Sequence, residues 1–179
     1  MPSLTIPSPE EYAPFYADYI QRAAQRSDVY AALSAQIAEL HASLDSLSDS
    51  QAGFKPGPQE WSIKEVIGHI NDVERVFSYR LLRISRKDLT PLPGFEQEDY
   101  VRAAGFERYS LADLMREFEF LRGANLLAIG HTTDEAIDNR GTASGYTVSA
   151  RALIYMMVGH VDHHMASLRE KYLPVATTL

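Results

Sequence analysis

The sequence predicts an all-α protein: an up-and-down four-helix bundle preceded by an irregular N-terminal arm. Four long segments carry apolar residues at three- and four-residue spacing, and each follows a polar residue suited to capping a helix. No segment shows a convincing strand alternation, and 179 residues is the usual size of one domain. We therefore expect one domain over residues 1–179, with the arm at 1–26 and the bundle at 27–173.

The arm and the first helix are separated by their proline content. A continuous helix over residues 1–26 is disfavoured by the prolines Pro2, Pro7, Pro9 and Pro14. Ser27 or Asp28 can then cap the first helix. Its buried stripe is formed by Val29, Leu33, Ile37, Leu40, Leu44 and Leu47. The glycine and prolines of residues 53–58 end this helix.

The second helix begins at a capping box formed by Ser62 and Glu65 and is expected to reach about Arg83. The connection Asp88–Gly105 follows. It is long enough to cover an opening, with a short helix around Gln97–Ala104. We expect it to form a lid or a pocket wall.

The third and fourth helices have similar signals. Ser110 caps the third, which runs through Ile129. Residues 139–145 are expected to form a loop. Thr147 or Ser149 caps the last helix, which continues to about Tyr172 before Pro174 ends it.

Composition excludes several classes of function. The chain has no cysteine, so histidine and carboxylate groups are the remaining strong metal ligands, and a reducing compartment fits. A formal net charge of −7 argues against binding to a phosphate backbone, so we expect no nucleic-acid partner. No apolar stretch is long enough to span a membrane and the N-terminus lacks a signal sequence, so we expect no membrane partner and a cytoplasmic location.

Two histidines one helical turn apart are the best clue to function. His160 and His164 follow the apolar run 152–159, and a helical wheel places both on the buried face while His163 falls off its edge. His69, at the margin of the buried stripe of the second helix, completes a three-histidine metal site. The alternative is a set of core histidines, although a buried unsatisfied imidazole costs about 1 to 3 kcal/mol.

Such a site would leave one position of a divalent ion open, as catalytic sites do. We expect Zn²⁺, with Ni²⁺, Mn²⁺ or Fe²⁺ as alternatives. Bound water would support hydrolysis of a small-molecule substrate, and a bound low-molecular-weight thiol cosubstrate would attack an electrophile. The ligand set does not choose between these two reactions.

Four further side chains are weaker candidates. Asp72 and Glu65 could orient an imidazole or accept a proton, although a solvated carboxylate and a simple capping box explain them as well. Arg80 and His163 could meet an anionic substrate at the rim, and surface salt bridges are the alternative.

Several segments resemble the DinB/YfiT-like superfamily of metalloenzymes. They cover most of the chain from the first helix onward: Trp61–Phe77, Pro91–Phe95, Gly141–Gly145, Gly159–His164 and Leu168–Leu173.

The resemblance implies a four-helix bundle and a divalent metal held by one histidine of helix two and an HxxxH pair of helix four, which match His69, His160 and His164. It also implies a homodimer, and it favours thiol-dependent S-transfer slightly over metal-dependent hydrolysis. Many members carry an Arg-Gly pair where this chain has Met165-Ala166, so no particular relative's substrate carries over. A non-catalytic metal- or ligand-binding dimeric scaffold remains a further alternative.

Overall fold

Four long helices form the framework of the computed structural model, which describes residues 3–178. In chain order the elements are α1 (Ala17–Ala24), α2 (Val29–Leu44), α3 (Asp49–Ala52), α4 (Ile63–Ser85), α5 (Gln97–Ala104), α6 (Leu111–Gly130), α7 (Asp134–Ile137), β1 (Arg140–Ala143), β2 (Tyr146–Ser149), α8 (Ala150–Ser167) and α9 (Leu173–Ala176). The four long helices are α2, α4, α6 and α8. The structure therefore has the four long helices and the short helix α5 that the sequence predicts. The first long helix ends at Leu44, before the predicted stop at residues 53–58, and the separate short helix α3 follows it.

Each long helix begins where a polar side chain binds the free backbone N–H groups of its first turn. The side chains of Asp28 and Ser110 accept hydrogen bonds from the N–H groups of Ala31 and Asp113. Ser149 accepts in the same way from Ala152, so it and not Thr147 is the cap.

The capping box predicted for α4 forms in both directions. Ser62 Oγ accepts from Glu65 N at 3.2 Å, and Glu65 accepts from Ser62 N at 2.6 Å. This local pair sets the start of α4 at Ile63, six residues before His69.

The order of the helices around the bundle differs from the prediction. Contacts join α2 to α6 and α8, and join α4 to the same two helices, so α2 and α4 lie diagonally across the core. Along the shared face of α4 and α6, Asn71 bonds to Glu117 and Ser78 bonds to Asn125, so the two helices run parallel. The up-and-down prediction is therefore wrong, although the four-helix bundle is present.

The connection between α4 and α6 explains the parallel arrangement. Beyond α4, Leu92 pairs with the end of β1, and the chain then returns along α4. Glu98 of α5 accepts a hydrogen bond from Trp61, and the ring of Phe106 lies where a Cβ of Gly68 would be. This return brings α6 to start at the same end of the bundle as α4.

The N-terminal arm lies on the bundle as predicted, but it is not wholly irregular. Residues from Ala17 onward form α1, because no proline follows Pro14 in this part of the chain. Ile20 and Ala23 of α1 are buried, and α1 packs mainly on α8. Pro2, one of the prolines behind the arm prediction, lies outside the described residues.

A small β-hairpin replaces the loop predicted at 139–145, so the fold is not strictly all-α. β1 and β2 pair antiparallel from Arg140–Ser149 to Ala143–Tyr146. Ser144 and Gly145 join them with φ values of 52° and 81°, the left-handed pair that tight hairpin turns require. The strands are too short for alternation to distinguish them from a loop.

The end of the last helix also departs from the prediction. Residues Leu168–Tyr172 form a π-helical turn, and the chain continues into α9. Pro174 does not end the helix, because it lies in the first turn of α9, where a backbone N–H has no partner to lose.

A buried ion pair crosses the centre of the bundle. Arg122 of α6 is 0% exposed and binds both carboxylate oxygens of Glu74 on α4, at 2.7 and 3.0 Å. Its Nη1 also donates to Leu33 O and to Gln36 Oε1 on α2, and Nη2 donates to Met157 O on α8 at 3.4 Å. One guanidinium from α6 thus contacts the other three long helices.

We predict that this pair is the most sensitive pair in the bundle. Arg122→Met and Glu74→Leu should each lower the free energy of unfolding by about 3–5 kcal/mol, because each leaves one buried charge uncompensated. The double variant should recover most of that loss. Urea unfolding measures all three, and Arg75→Met, which removes the exposed pair with Glu117, should cost under about 1 kcal/mol. If Arg122→Met and Glu74→Leu each lower the free energy of unfolding no more than Arg75→Met does, the assignment is wrong.

Candidate metal centre

Three imidazoles from two helices converge in the core. His160 Nε2 lies 3.1 Å from His69 Nε2 on α4 and 3.1 Å from His164 Nε2, one turn further along α8. One nitrogen from each ring lies within 4.8 Å of the other two. The structure therefore brings together the three histidines that the sequence predicts as metal ligands.

Hydrogen bonding alone does not satisfy this arrangement. Nε2 of a neutral imidazole carries either one hydrogen or one in-plane lone pair. His160 Nε2 faces two other Nε2 atoms, so it can complete one good hydrogen bond and leaves the second contact unsatisfied. A tetrahedral zinc ion holds such nitrogens about 3.4 Å apart. The donor set therefore fits a cation with little side-chain movement.

Burial makes these rings poor bases toward protons. His69 and His160 are 2% and 3% exposed. Desolvation lowers the pKa of His69 to about 4, and it holds the pKa values of His160 and His164 well below the ordinary value. All three imidazoles are consequently neutral at neutral pH, the state in which histidine binds a metal.

Aromatic side chains pack against two of the three rings. The Trp61 ring lies 4.8 Å from the ring of His69, and the Tyr19 and Phe77 rings lie 5.4 and 6.1 Å from that of His160. Trp61 is held in place by its Nε1–H, which donates to Glu98. The histidines therefore lie in a largely apolar shell that the connection and the arm both help to close.

Close packing of α1 against α8 depends on Gly159. A Cβ at this position would overlap the backbone carbonyl of Tyr19. The absence of a side chain lets α1 approach closely enough for Tyr19 to contact His160. Sequence reasoning missed Tyr19, because the helix that carries it was not predicted.

The two carboxylates proposed as helpers lie in different environments. Glu65 is occupied by its capping hydrogen bond and by Lys55 Nζ at 2.7 Å, so the structure favours the capping role. Asp72, one turn after His69, is partly buried, and this burial raises its pKa. Asp72 makes its ion pair with Arg75, with 3.8 Å between the charged atoms.

Neither rim candidate contacts the three Nε2 atoms. His163 is more exposed, and its Nδ1 lies 3.0 Å from Asp18 Oδ2, in agreement with the surface ion-pair alternative. Arg80 is only 2% exposed and donates to Pro93 O and Ser144 Oγ. A surface salt bridge is therefore the wrong explanation for Arg80.

Sequence reasoning also missed the polar network beside the histidines. Gln36 Nε2 donates to Val158 O and to Asp162 Oδ1, both on the helix that carries the histidine pair. Asp162 in turn accepts from Arg26. One signal was available, because Gln36 falls beside the apolar positions of α2, where a solvated side chain is not expected.

Comparison with known proteins identifies the family. The sequence matches the model of the DinB superfamily over residues 32–168. The chain belongs to the DinB superfamily. Its fold is similar to that of YfiT from Bacillus subtilis, a probable metal-dependent hydrolase with an unusual four-helix bundle topology, with a TM-score of 0.70, 14% identity, and coverage of 94% of this chain and 93% of that chain. A search of curated proteins found no match.

Membership in the DinB superfamily confirms the resemblance seen in the sequence. The similarity to YfiT concerns the fold, because sequence identity is low. Among the helices of residues 3–178, none combines the length and the apolar character needed to cross a membrane.

Acid should destabilise the metal-free protein through these histidines. Their folded-state pKa values lie below the unfolded value of about 6.5, so the unfolded state binds more protons as pH falls. Their stabilising contribution is complete above that value and is lost as pH falls toward about 4, the pKa of His69. Urea unfolding in the presence of EDTA, at pH values between about 4 and 6.5, measures this loss of unfolding free energy. His164→Phe should flatten the dependence, and His131→Gln, at an exposed histidine outside the cluster, should leave it unchanged; equal slopes in all three proteins would contradict this origin.

Gly159→Ala should displace α1 and destabilise the protein by about 1–3 kcal/mol, because the new methyl group overlaps backbone and not a flexible side chain. Gly123→Ala on α6 is the matched control, since open space surrounds that position and alanine favours the helix. Thermal unfolding and the near-ultraviolet signal of the tyrosines report the two effects. A Gly159→Ala protein as stable as the control would show that α1 does not pack as described.

Proposed function

We propose that this protein is a metal-dependent enzyme in which His69, His160 and His164 hold one divalent ion. The observation that carries the proposal is the convergence of three histidine nitrogens within 4.8 Å of one another, two from the buried His69 and His160 and one from the partly buried His164. Hydrogen bonds among the three rings cannot satisfy all of the close contacts between these nitrogens. Neutral imidazoles are good ligands for a divalent ion. Zn²⁺ is the ion we expect, with Ni²⁺, Mn²⁺ or Fe²⁺ as alternatives.

The number of ligands favours catalysis over a structural role. A four-coordinate ion with three protein ligands keeps one position for a substrate or nucleophile, and in that position it supplies Lewis acidity and a lowered pKa to water or a thiol. The protein supplies the rest. Trp61 and Tyr19 pack on the ligand rings, restrict water and limit ring rotation.

Hydrolysis of a small-molecule substrate is the first candidate reaction. Its support is the shared fold with YfiT, described as a probable metal-dependent hydrolase. Asp72 is the side chain that we propose for proton transfer in this reaction. It lies one turn from His69, and its burial raises its pKa, which makes it a better base than an exposed carboxylate.

Thiol-dependent S-transfer to a small electrophile is the second candidate. Three imidazoles accept a sulfur ligand as well as an oxygen ligand, and a chain without cysteine must take the thiol from a cosubstrate. The further alternative is a non-catalytic scaffold that binds a metal or ligand. The homodimer implied by the family also remains a prediction, which size-exclusion chromatography with light scattering tests.

Metal analysis of protein prepared without a histidine tag tests the site. We expect about one equivalent of a divalent metal per chain, removed by a chelator and restored by adding it back. His160→Ala and His164→Ala should abolish binding. His163→Ala is the matched control, since its ring lies on the same helix outside the cluster, and it should bind as the wild type does.

Two outcomes would overturn the metal site. One is metal-free protein that takes up no Zn²⁺, Ni²⁺, Mn²⁺ or Fe²⁺ on dialysis. The other is unchanged metal binding in the His160→Ala and His164→Ala variants. Circular dichroism of each variant separates lost binding from lost folding.

Two substrate panels separate the reactions. Metal-loaded protein is incubated with esters and amides, and then with a bromobimane electrophile and several low-molecular-weight thiols. Turnover without thiol supports hydrolysis, and thiol-dependent turnover supports transfer; His69→Ala should abolish either. For hydrolysis, Asp72→Asn should lower kcat by about 10²–10⁴ while metal content stays the same. Metal binding without turnover in either panel would favour the scaffold.

A further inference from the structure

A pocket lies along α4, and none of the three histidines lines it. Its volume is about 280 Å³, near the lower end for small-molecule sites, and its walls come from α4 and the connection that follows it. Val76, Leu92, Phe95 and Tyr100 supply apolar surface, and Arg75 and Arg80 supply charge. Within the part of the chain that the structure describes, no acidic side chain lines it.

Arg80 is a buried cation with neutral partners. Only 2% of the residue is exposed, and Nη2 donates to Pro93 O at 2.8 Å and to Ser144 Oγ at 3.0 Å. In residues 3–178 no carboxylate lies within 4.0 Å of its guanidinium, and Nε and Nη1 have no protein acceptor. Both nitrogens keep some solvent-accessible surface, and Arg80 is one of the residues that line the pocket.

Other arginines of the chain show how unusual this is. Arg122 is equally buried, and Glu74 neutralises it. Arg75, the other cation of the pocket, pairs with Glu117 and Asp72. A buried charge without a counter-charge is unfavourable, so an anion bound beside Arg80 would be stabilised.

We propose that this pocket binds a small anionic ligand, a carboxylate or a phosphate monoester attached to a compact apolar or aromatic group. The anionic group accepts hydrogen bonds from the free N–H groups of Arg80. The apolar group packs against Val76, Phe95 and Tyr100, whose ring lies 5.1 Å from that of Phe95.

The site is separate from the histidine cluster. Arg80 lies eleven residues after His69 on α4, which is roughly 16 Å along the helix axis. None of the three histidines is among the residues that line the pocket. The proposal therefore holds or fails independently of metal binding.

If Arg80 had only a structural role, the expected result would differ from that expected for anion binding. Its bonds to Pro93 O and Ser144 Oγ join the connection to the hairpin, where Leu92 N donates to Thr142 O. If this were its whole role, a neutral donor would replace it without changing ligand selectivity. Arg80→Gln keeps hydrogen-bond donors without the charge, and Arg80→Lys keeps the charge.

Calorimetric titration with matched ligands tests the proposal. Phenylacetate is compared with phenylacetamide, and phenyl phosphate with phenol, in EDTA-treated protein and again with Zn²⁺ added. Wild-type protein should bind at least one anion about tenfold or more tightly than its neutral partner, with or without Zn²⁺. Arg80→Gln should remove this preference and Arg80→Lys should keep most of it. Arg86→Gln removes an exposed charge on the same helix end and should leave the preference intact.

Amide chemical shifts of the wild type locate the ligand if Arg80→Gln does not fold. Saturating phenylacetate should shift Gly94, Phe95 and Tyr100. The proposal would be overturned by no preference for either anion, by a preference that survives Arg80→Gln, or by shifts confined to residues outside the pocket. A preference that appears only with Zn²⁺ also overturns it, because the carboxylate would then be bound at the histidines, which would support the metal site instead.

Discussion

The contact between Arg122 and Glu74 is the constraint on which the arrangement of this bundle depends. A guanidinium withdrawn from water needs a carboxylate and several further acceptors, and here they come from α2, α4 and α8. The three neighbouring helices must therefore take one register relative to α6. Apolar packing alone would tolerate many registers, whereas this polar set tolerates few.

The polar layer formed by Arg122, Glu74 and their hydrogen-bond partners also determines where the histidines lie. Met157 O, which accepts from Arg122, precedes His160 by three residues on α8, and Glu74 follows His69 by five on α4. Fixing α8 against α4 at these points brings the His69 and His160 rings to one level. Apolar clusters lie on either side of the layer, one around Phe77 and Met157 and the other around Ile67 and Met165. The candidate ligands thus lie where two packed regions meet, with little freedom to move.

The long connection from α4 to α6 has a second consequence. Because α6 runs parallel to α4, the chain must return along the bundle, and in doing so it covers one side of α4. Trp61 and Glu98 join near the histidines at one end of this cover, and Arg80 holds Pro93 at the other. The sequence predicted that this connection would form a lid or a pocket wall. In the structure one part of it lies beside the histidines and another part lies beside Arg80.

The sequence by itself determined where the helices begin and which histidines share a face. Ser62 and Ser110 mark helix starts through local hydrogen bonds, and the four-residue spacing of His160 and His164 needs only helical geometry. The apolar stripes in the sequence showed that each helix has a buried side. They did not show which other helix packs against that side. Only the tertiary structure decided the parallel run of α4 and α6, the partner of Arg122 and the missing partner of Arg80. Those features depend on contacts between residues far apart in the chain, which helical periodicity, a property of neighbouring turns, does not encode.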